Sequence, residues 1–138
     1  MRCCCAVVAD RRHTAIMLSI IIPTYEEAGR LPATIAALGA TRRDELIVVD
    51  GGSSDDTLAV ARQHGAKTIT AGRGRGTQMA AGAASSSGDW LLFLHADTQL
   101  AKNWRSGADI FMQAPENRRR AAYFRFRLDD DSQAARRL

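Results

Sequence analysis

The chain has 138 residues, 46% of them hydrophobic and 25% charged, and its formal net charge is +4. A single domain of this length buries roughly two thirds of the surface that its unfolded chain exposes, so a core without disulfides is attainable, and disordered and fibrous chains are excluded. Much of the positive charge lies in arginines near the two ends, which is typical of solvated surface, so we expect no nucleic-acid partner.

The amino-terminal segment differs from the rest of the chain. Cys3, Cys4 and Cys5 are consecutive and cannot form an ordinary disulfide framework, which favours a reducing compartment and a cytoplasmic protein. No stretch reaches the ~20 continuous apolar residues of a membrane span, so we expect no transmembrane segment, while peripheral membrane association stays open. We predict a disordered extension over residues 1–16 and one domain over residues 17–138.

The domain begins with a strand and a helix. Leu18–Pro23 is a short, β-branched apolar run, which is typical of a strand buried on both faces. The next pattern predicts a helix over Gly29–Leu38, with Pro32 in its first turn and Gly39 as its stop.

The same alternation then continues along the chain. Leu46–Asp50 is a second apolar strand, and Ser53 or Ser54 is predicted to cap a helix over Asp56–His64. A weaker third strand, a glycine-arginine loop, an alanine-rich helix suited to close packing and an apolar fourth strand follow: Lys67–Thr70, Gly72–Gly76, Thr77–Ser87 and Trp90–His95. The later predictions are a short helix over Asn103–Met112, a charged loop over Pro115–Arg120 and a strand over Tyr123–Leu128.

Strands alternating with helices over ~25-residue units predict an α/β fold with a mostly parallel sheet, because parallel strands require crossover connections. Ligands of such open sheets bind at the carboxyl ends of the strands. Each strong strand here ends in polar residues, which we expect to converge on one crevice: Thr24, Tyr25, Glu26, Glu27, Asp50, His95 and Asp97.

Three segments at this edge carry candidate chemistry, and each has a structural alternative. Gly72–Gly76 lacks the third glycine of a dinucleotide fingerprint and a Walker lysine, but its amides and arginines could meet an anion; the alternative is a solvated surface loop. Asp50 could accept hydrogen bonds from a base or a ribose, or its turn could simply cap a helix. His95 and Asp97 lie on the same side of an extended segment, where they could bind a metal or be structural.

Four motifs occur in the order and spacing of the family 2 glycosyltransferases. They are SIIIPTYEE at Ser19–Glu27, IVVDGGSSDDT at Ile47–Thr57, GRGTQM at Gly74–Met79 and GDWLLFLHADT at Gly88–Thr98. The chain resembles this family and, within it, a bacterial subgroup labelled as arsenosugar-biosynthesis-type glycosyltransferases. The resemblance implies a GT-A fold, which is a Rossmann-like, mostly parallel sheet with helices on both faces, here incomplete at the carboxyl terminus.

The resemblance also implies a ligand and a site. The donor would be a nucleoside-diphosphate sugar, UDP- or GDP-linked, and the cofactor a divalent metal, Mg²⁺ or Mn²⁺. The metal ligand implied by the resemblance is Asp97, which matches the last carboxylate of the family's D-x-D motif, with His95 in place of the first Asp. The residues implied for the donor pocket are Pro23, Thr24, Tyr25, Glu27, Asp50, Gly51, Arg73, Arg75, Gln78, His95 and Ala96.

The implied reaction is transfer of the sugar, with inversion, to an acceptor hydroxyl. Such a step needs a general base near the acceptor. The late carboxylate cluster Asp129–Asp131 resembles a turn, so we expect the base to be absent and leave open whether this fragment is active. The alternatives are a non-catalytic, nucleotide-sugar-binding remnant and a nucleotidyltransferase, the latter disfavoured because no glycine-rich phosphate loop follows the first strand.

Overall fold

The computed structural model describes residues 16–39 and 44–125. In these ranges four parallel strands form one sheet in the order β3-β2-β1-β4. The strands are β1 (Leu18–Thr24), β2 (Glu45–Asp50), β3 (Lys67–Thr70) and β4 (Trp90–Phe93). The helices are α1 (Leu31–Leu38), α2 (Thr57–Gln63), α3 (Arg75–Ala84) and α4 (Trp104–Gln113), followed by a 3₁₀ turn at Pro115–Asn117. The predicted α/β alternation with a parallel sheet is confirmed.

Helices cover both faces of the sheet, as expected. Successive side chains of a strand point to opposite faces, so the consecutive isoleucines of β1 serve two separate cores. Ile20 and Ile22 pack in the core beneath α1, α2 and α4, whereas Ile21 packs with Val49 beneath α3. From Leu18 to Ile22 each residue of β1 is at most 2% exposed. This two-sided burial explains why the strand lacks a polar alternation.

The alanine-rich helix α3 lies close to the sheet, as its small side chains predicted. A Cβ atom added at Gly82 would lie 2.4 Å from Ile21 Cγ2 and 3.1 Å from Val49 Cγ2. Helix α3 begins two residues before the predicted Thr77 and ends at Ala84. Arg75 therefore belongs to the first turn of a helix and not to the glycine-arginine loop.

Two predictions about helix caps and strands are wrong. Ser53 and Ser54 do not cap α2, because both serines form hydrogen bonds to the loop after β1 and the residue at the N-cap is Asp56, whose side chain makes no capping hydrogen bond. Tyr123–Arg125 do not form a strand; instead Phe124 packs edge-to-face on Trp104, with ring centroids 6.2 Å apart. Of the other predicted boundaries, those of β3 are confirmed, the end of α3 lies three residues before the predicted Ser87, and the rest differ by at most two residues, as helix and strand ends commonly do.

Several predictions concern residues outside the described ranges. These are residues 1–15 of the extension predicted over residues 1–16, with its cysteine triplet, the last three residues of the predicted strand Tyr123–Leu128, and the acidic cluster Asp129–Asp131. Among the helices of the described ranges, none is long and apolar enough to cross a membrane.

A hydrogen-bond network joins the amino-terminal ends of the strands. Glu45 Oε2 accepts hydrogen bonds from Ser19 Oγ at 2.7 Å and from Ser87 N at 2.8 Å. Ser19 Oγ in turn accepts a hydrogen bond from Gly88 N at 2.9 Å. Burial acts to raise the pKa of Glu45, but the hydrogen bonds from Ser19 and Ser87 and the charge of Lys67 outweigh burial and hold the pKa below its ordinary value.

The lowered pKa of Glu45 predicts a pH-dependent contribution to stability. A depressed carboxyl pKa stabilises the fold above the unfolded-state value of about 4.3, and this contribution is lost as the pH falls through the folded-state pKa. Glu45→Gln should therefore be less stable than the wild type at pH 7, and the gap should narrow below about pH 4. Urea unfolding at both pH values measures the gap, with Glu116→Gln as an exposed control. A gap that is the same at both pH values would contradict the prediction.

Candidate functional site

The carboxyl ends of β1 and β2 lie side by side, as the sequence predicts, and their polar residues are buried. Thr24 pairs with Asp50 in the parallel register. Thr24 is 2% exposed, Asp50 is 1% exposed and Gln78 is 4% exposed. Gln78 belongs to α3 and approaches the strand ends from the face of the sheet that α3 covers. Three of the predicted donor-binding residues are therefore buried at this edge, and we call them the floor of the candidate site.

The carboxylate of Asp50 is engaged in the turn that follows it. Its Oδ2 accepts hydrogen bonds from Gly52 N at 2.9 Å and from Ser53 N at 2.8 Å. Its Oδ1 accepts hydrogen bonds from Ser53 Oγ at 2.5 Å and from Thr24 Oγ1 at 3.3 Å. A carboxylate offers about four lone-pair directions. A direct contact between Asp50 and a donor, as the sequence predicts, would require one of these hydrogen bonds to be exchanged.

Gln78 ties the two strand ends together. Its Nε2 donates to Thr24 O at 2.7 Å and to Val49 O at 2.8 Å. Gly51 makes room for this amide, because a Cβ atom at that position would lie 3.2 Å from Gln78 Nε2 and 3.4 Å from Thr24 O. The structure therefore explains Gly51 and Gln78 as packing partners, and their predicted contact with a donor stays a prediction.

Tyr25 and Arg73 lie exposed at the same edge of the sheet, and we call this pair the wall of the candidate site. The guanidinium carbon of Arg73 lies 3.9 Å from the centroid of the Tyr25 ring, which is a cation–π contact between the loops that follow β1 and β3. The sequence placed both residues at the site, but nothing in their spacing indicated that they touch. Two other predicted residues adjoin this wall: Pro23 is half-buried in β1, and the half-buried Glu27 pairs with Arg30 at 3.3 Å.

The segment after β4 brings the remaining predicted residues to the same edge. Leu94 N donates to Ile21 O at 3.0 Å, so the chain leaves the sheet alongside β1. Ala96 is 4% exposed, and its carbonyl accepts a hydrogen bond from Thr34 Oγ1 at 2.6 Å. The segment is a turn, in which Thr98 N donates to His95 O at 3.1 Å, so the prediction of an extended segment over His95 and Asp97 is wrong. His95 is half-buried in this turn and Asp97 is exposed.

His95 is kept neutral by its surroundings. Burial and then the charge of Arg75 lower the pKa of His95, and the opposing effect of Asp97 is smaller. The effect of Arg75 also shows that the first turn of α3 lies within electrostatic reach of His95. A neutral imidazole with a free lone pair is the form that binds metals.

The donor set at His95 and Asp97 fits a metal that is completed by its ligand. In the described residues, no three or more His, Cys, Asp or Glu side chains come together as a metal cage. Magnesium and manganese in nucleotide sites typically take one or two carboxylates, with phosphate oxygens and water as the other ligands. One exposed carboxylate beside a neutral imidazole is sufficient as the protein's share of such a site.

A set of hydrogen bonds between two loops was not predicted from the sequence. Backbone amides of the loop after β1 donate to side chains of the loop after β2 and of the first residue of α2, which lie 27 to 30 residues later in the chain. The pairs are Glu26 N with Ser53 Oγ at 2.9 Å, Glu27 N with Thr57 Oγ1 at 2.9 Å and Ala28 N with Asp55 Oδ2 at 3.1 Å. In return, Ser54 donates its backbone N and its Oγ to Glu26 Oε1 at 2.7 and 3.0 Å. We call these contacts between Glu26–Ala28 and Ser53–Thr57 the loop clasp.

The serine and aspartate residues of the clasp have the residue types of a helix cap, and this explains the wrong capping prediction. Only the neighbouring loop decides which backbone amides they accept from. The hydrogen bond from the Thr57 hydroxyl is the main cause of the lowered pKa of Asp55. Asp55 is therefore ionised at neutral pH, and its carboxylate accepts hydrogen bonds within the clasp.

The family model for glycosyl transferase family 2 matches residues 19–108 of this chain. The chain belongs to glycosyl transferase family 2. The match includes β2 to β4, all of β1 but its first residue, and every residue of the predicted donor site.

Curated relatives of the chain are also named glycosyltransferases. A PGL/p-HBAD biosynthesis glycosyltransferase of Mycobacterium bovis is 41% identical over 95 residues, which cover 62% of this chain and 37% of the relative. An uncharacterised glycosyltransferase of Rickettsia felis is 34% identical over 107 residues, covering 77% of this chain and 38% of the relative. The chain thus spans little more than a third of the length of the curated relatives it matches.

Solved structures of glycosyltransferases share the fold. S. aureus TarS residues 1–349 match with a TM-score of 0.64 at 22% identity, over 70% of this chain and 32% of that one. Glucosyl-3-phosphoglycerate synthase from Mycobacterium tuberculosis, in complex with Mn²⁺, UDP and glucosyl-3-phosphoglycerate, matches with a TM-score of 0.54 at 26% identity, over 61% of this chain and 36% of that one. The predicted GT-A fold of this family 2 member is confirmed over the part that these structures cover.

Proposed function

We propose that this family 2 chain binds a nucleoside-diphosphate sugar in the crevice at the carboxyl ends of β1, β2 and β4. The observation that carries the proposal is the convergence of Tyr25, Arg73, Arg75, His95 and Asp97 at this one edge. Ligands of open parallel sheets bind at this edge because the loops and helix N-termini that follow the strands meet there. The Mn²⁺ and UDP in the neighbouring synthase support the same class of ligand.

Each exposed group at this edge has a proposed part in donor binding. Arg73 and Arg75 precede and begin α3, where guanidinium groups and helix amides favour the negative diphosphate. The ring of Tyr25 offers an apolar face for the nucleoside. Pro23, Thr24, Glu27, Asp50, Gly51, Gln78 and Ala96 border or underlie the same space.

A divalent metal, Mg²⁺ or Mn²⁺, is proposed to bind Asp97 with the help of His95. When bound, it would neutralise charge on the departing diphosphate. The chain's own groups would hold the metal: Asp97 would supply a carboxylate oxygen, and the neutral imidazole of His95 a nitrogen lone pair.

For the whole reaction we propose transfer of the sugar, with inversion, to an acceptor hydroxyl. Donor binding is the part of this reaction that the described residues account for, and the general base is proposed to lie outside them. A chain that binds the donor without transferring or hydrolysing it would be the binding-only remnant.

Calorimetric titration with UDP and GDP, each with and without Mn²⁺, tests the proposal. We expect at least one of the two nucleotides to bind, and to bind more tightly when Mn²⁺ is present. Failure of both to bind under either condition would overturn the proposed function. Product analysis with UDP- and GDP-sugars then separates a transferase from a binding module, and pyrophosphate release from a nucleoside triphosphate and a sugar phosphate would instead indicate a nucleotidyltransferase.

A further inference from the structure

We infer that Thr57 and Asp55 are positioning residues for the donor site. They act through the loop clasp, which holds the loop after β1 and, with it, the Tyr25 wall of the crevice. Neither residue contacts the donor in this assignment. The inference rests on the proposed function, and it deepens that function by naming residues on which donor affinity depends indirectly.

Thr57 is placed to act only through its neighbours. Its side chain is 0% exposed, so it cannot reach a ligand in the crevice. Its hydroxyl accepts a hydrogen bond from Glu27 N at 2.9 Å and donates a short one to Asp55 Oδ1. A hydroxyl can accept from an amide and donate to a carboxylate at the same time, which an aliphatic side chain of the same shape cannot do.

Asp55 connects the two loops from the exposed side. Its Oδ1 accepts hydrogen bonds from both the backbone N, at 3.0 Å, and the hydroxyl of Thr57. Its Oδ2 accepts a hydrogen bond from Ala28 N at 3.1 Å. One carboxylate therefore ties the start of α2 to the loop after β1.

The conformation that the clasp holds is not one that the loop favours by itself. Glu26 has φ of 56°, in the left-handed region that residues with a Cβ atom rarely adopt. Such a conformation persists only where surrounding contacts hold it. The clasp supplies these contacts on both sides of Glu26, through its backbone N to Ser53 and through its carboxylate to Ser54.

The left-handed residue directly follows Tyr25. A change of backbone conformation at Glu26 would redirect the chain next to Tyr25 and break its 3.9 Å contact with Arg73. The clasp also reaches the crevice floor, because Ser53 Oγ both accepts from Glu26 N and donates to Asp50 Oδ1. Loosening the clasp should therefore disturb the wall and the floor of the crevice together.

The experiment compares Thr57→Val, Thr57→Ser and Ser19→Ala with the wild type. Valine keeps the shape of threonine but removes the hydroxyl, whereas serine keeps the hydroxyl. Ser19→Ala is the matched control, because Ser19 is also 0% exposed and its hydroxyl also joins an amide to a carboxylate, at the opposite end of the sheet. The measurements are nucleotide affinity with Mn²⁺ by calorimetry, using UDP or, if the wild type binds only GDP, GDP in its place, together with thermal stability and hydrogen exchange of the Glu27 amide.

We expect Thr57→Val to weaken UDP binding by about tenfold and to speed exchange of the Glu27 amide, as the loss of one buried hydrogen bond would. Thr57→Ser should stay close to the wild type in both measurements. Ser19→Ala should lower thermal stability and leave UDP affinity unchanged. If Thr57→Val does not fold, Asp55→Ala takes its place, since Asp55 is exposed and its loss does not open the core.

Wild-type affinity in Thr57→Val, or in Asp55→Ala, would overturn the positioning role while leaving the proposed function in place. An equal loss of affinity in Ser19→Ala would also overturn it, because the effect would then follow from stability alone. Failure of the wild type itself to bind UDP or GDP would overturn the proposed function and this inference with it.

Discussion

Replacing Asp97 by alanine is expected to abolish the Mn²⁺ dependence of UDP binding while leaving the fold intact. Asp97 is the exposed carboxylate of the proposed metal site, beside the neutral imidazole of His95. Removal of groups that merely orient metal ligands already lowers metal affinity by about 10- to 100-fold, so loss of a ligand should do at least as much. Stability should change by less than about 0.5 kcal/mol, as is usual for exposed positions.

Calorimetry with UDP in the presence and absence of Mn²⁺ measures this effect. The control is Glu116→Ala, which removes an exposed carboxylate outside the proposed site. An Asp97→Ala chain that still bound UDP more tightly with Mn²⁺ than without it would remove Asp97 from the metal site. The result is independent of whether this chain completes the transfer reaction, because it needs only donor binding.

Gly88→Ala is expected to have the largest effect on stability. A Cβ atom at this position would lie 2.6 Å from Ser19 Oγ, 2.8 Å from Ser19 N and 2.9 Å from Met17 O. Two of these atoms belong to the backbone at the start of β1 and cannot move without distorting the sheet. We expect a loss of about 3 kcal/mol, at the upper end of the range for overpacked sites, and a fall of about 10 °C in Tm.

Gly107→Ala is the matched control for this substitution. Gly107 lies inside α4, and a Cβ atom there would meet nothing within 4 Å. Alanine should stabilise this helix by about 0.5 to 1 kcal/mol, because it loses less backbone entropy on folding than glycine does. The two glycine-to-alanine changes are thus expected to shift Tm in opposite directions, and a shared direction would contradict the account of Gly88.

Much of the architecture could be predicted from local sequence. The apolar runs of β1, β2 and β4 do not alternate with polar residues, because a strand that is covered on both faces has no solvent-facing side. Gly39 ends α1 with φ of 53°, the left-handed conformation that its position after Leu38 predicted. These features depend on contacts of a residue with its near neighbours or on burial alone, and both leave a pattern in the sequence.

The site was predicted less completely than the fold. Its location followed from the rule that polar strand ends of a parallel sheet converge, and the family motifs supplied the residues. Neither the rule nor the motifs predicted which of those residues bond within the chain and which are exposed. Asp50, Thr24 and Gln78 have their polar atoms engaged within the chain, whereas Tyr25, Arg73 and Asp97 are exposed at the crevice.

The sequence by itself therefore determined the α/β alternation, the buried strands and the edge of the sheet at which the candidate site lies, because hydrophobic runs and strand-end polarity are local patterns. Only the tertiary structure decided the strand order, the contact of Arg73 with Tyr25 and the loop clasp. The physical reason is that crossover connections bring together groups far apart in the chain, as with Gln78 Nε2 and Thr24 O, which are 54 residues apart. A serine or aspartate has the same residue type whether it caps its own helix or bonds to a neighbouring loop, and the geometry of that neighbour selects between the two.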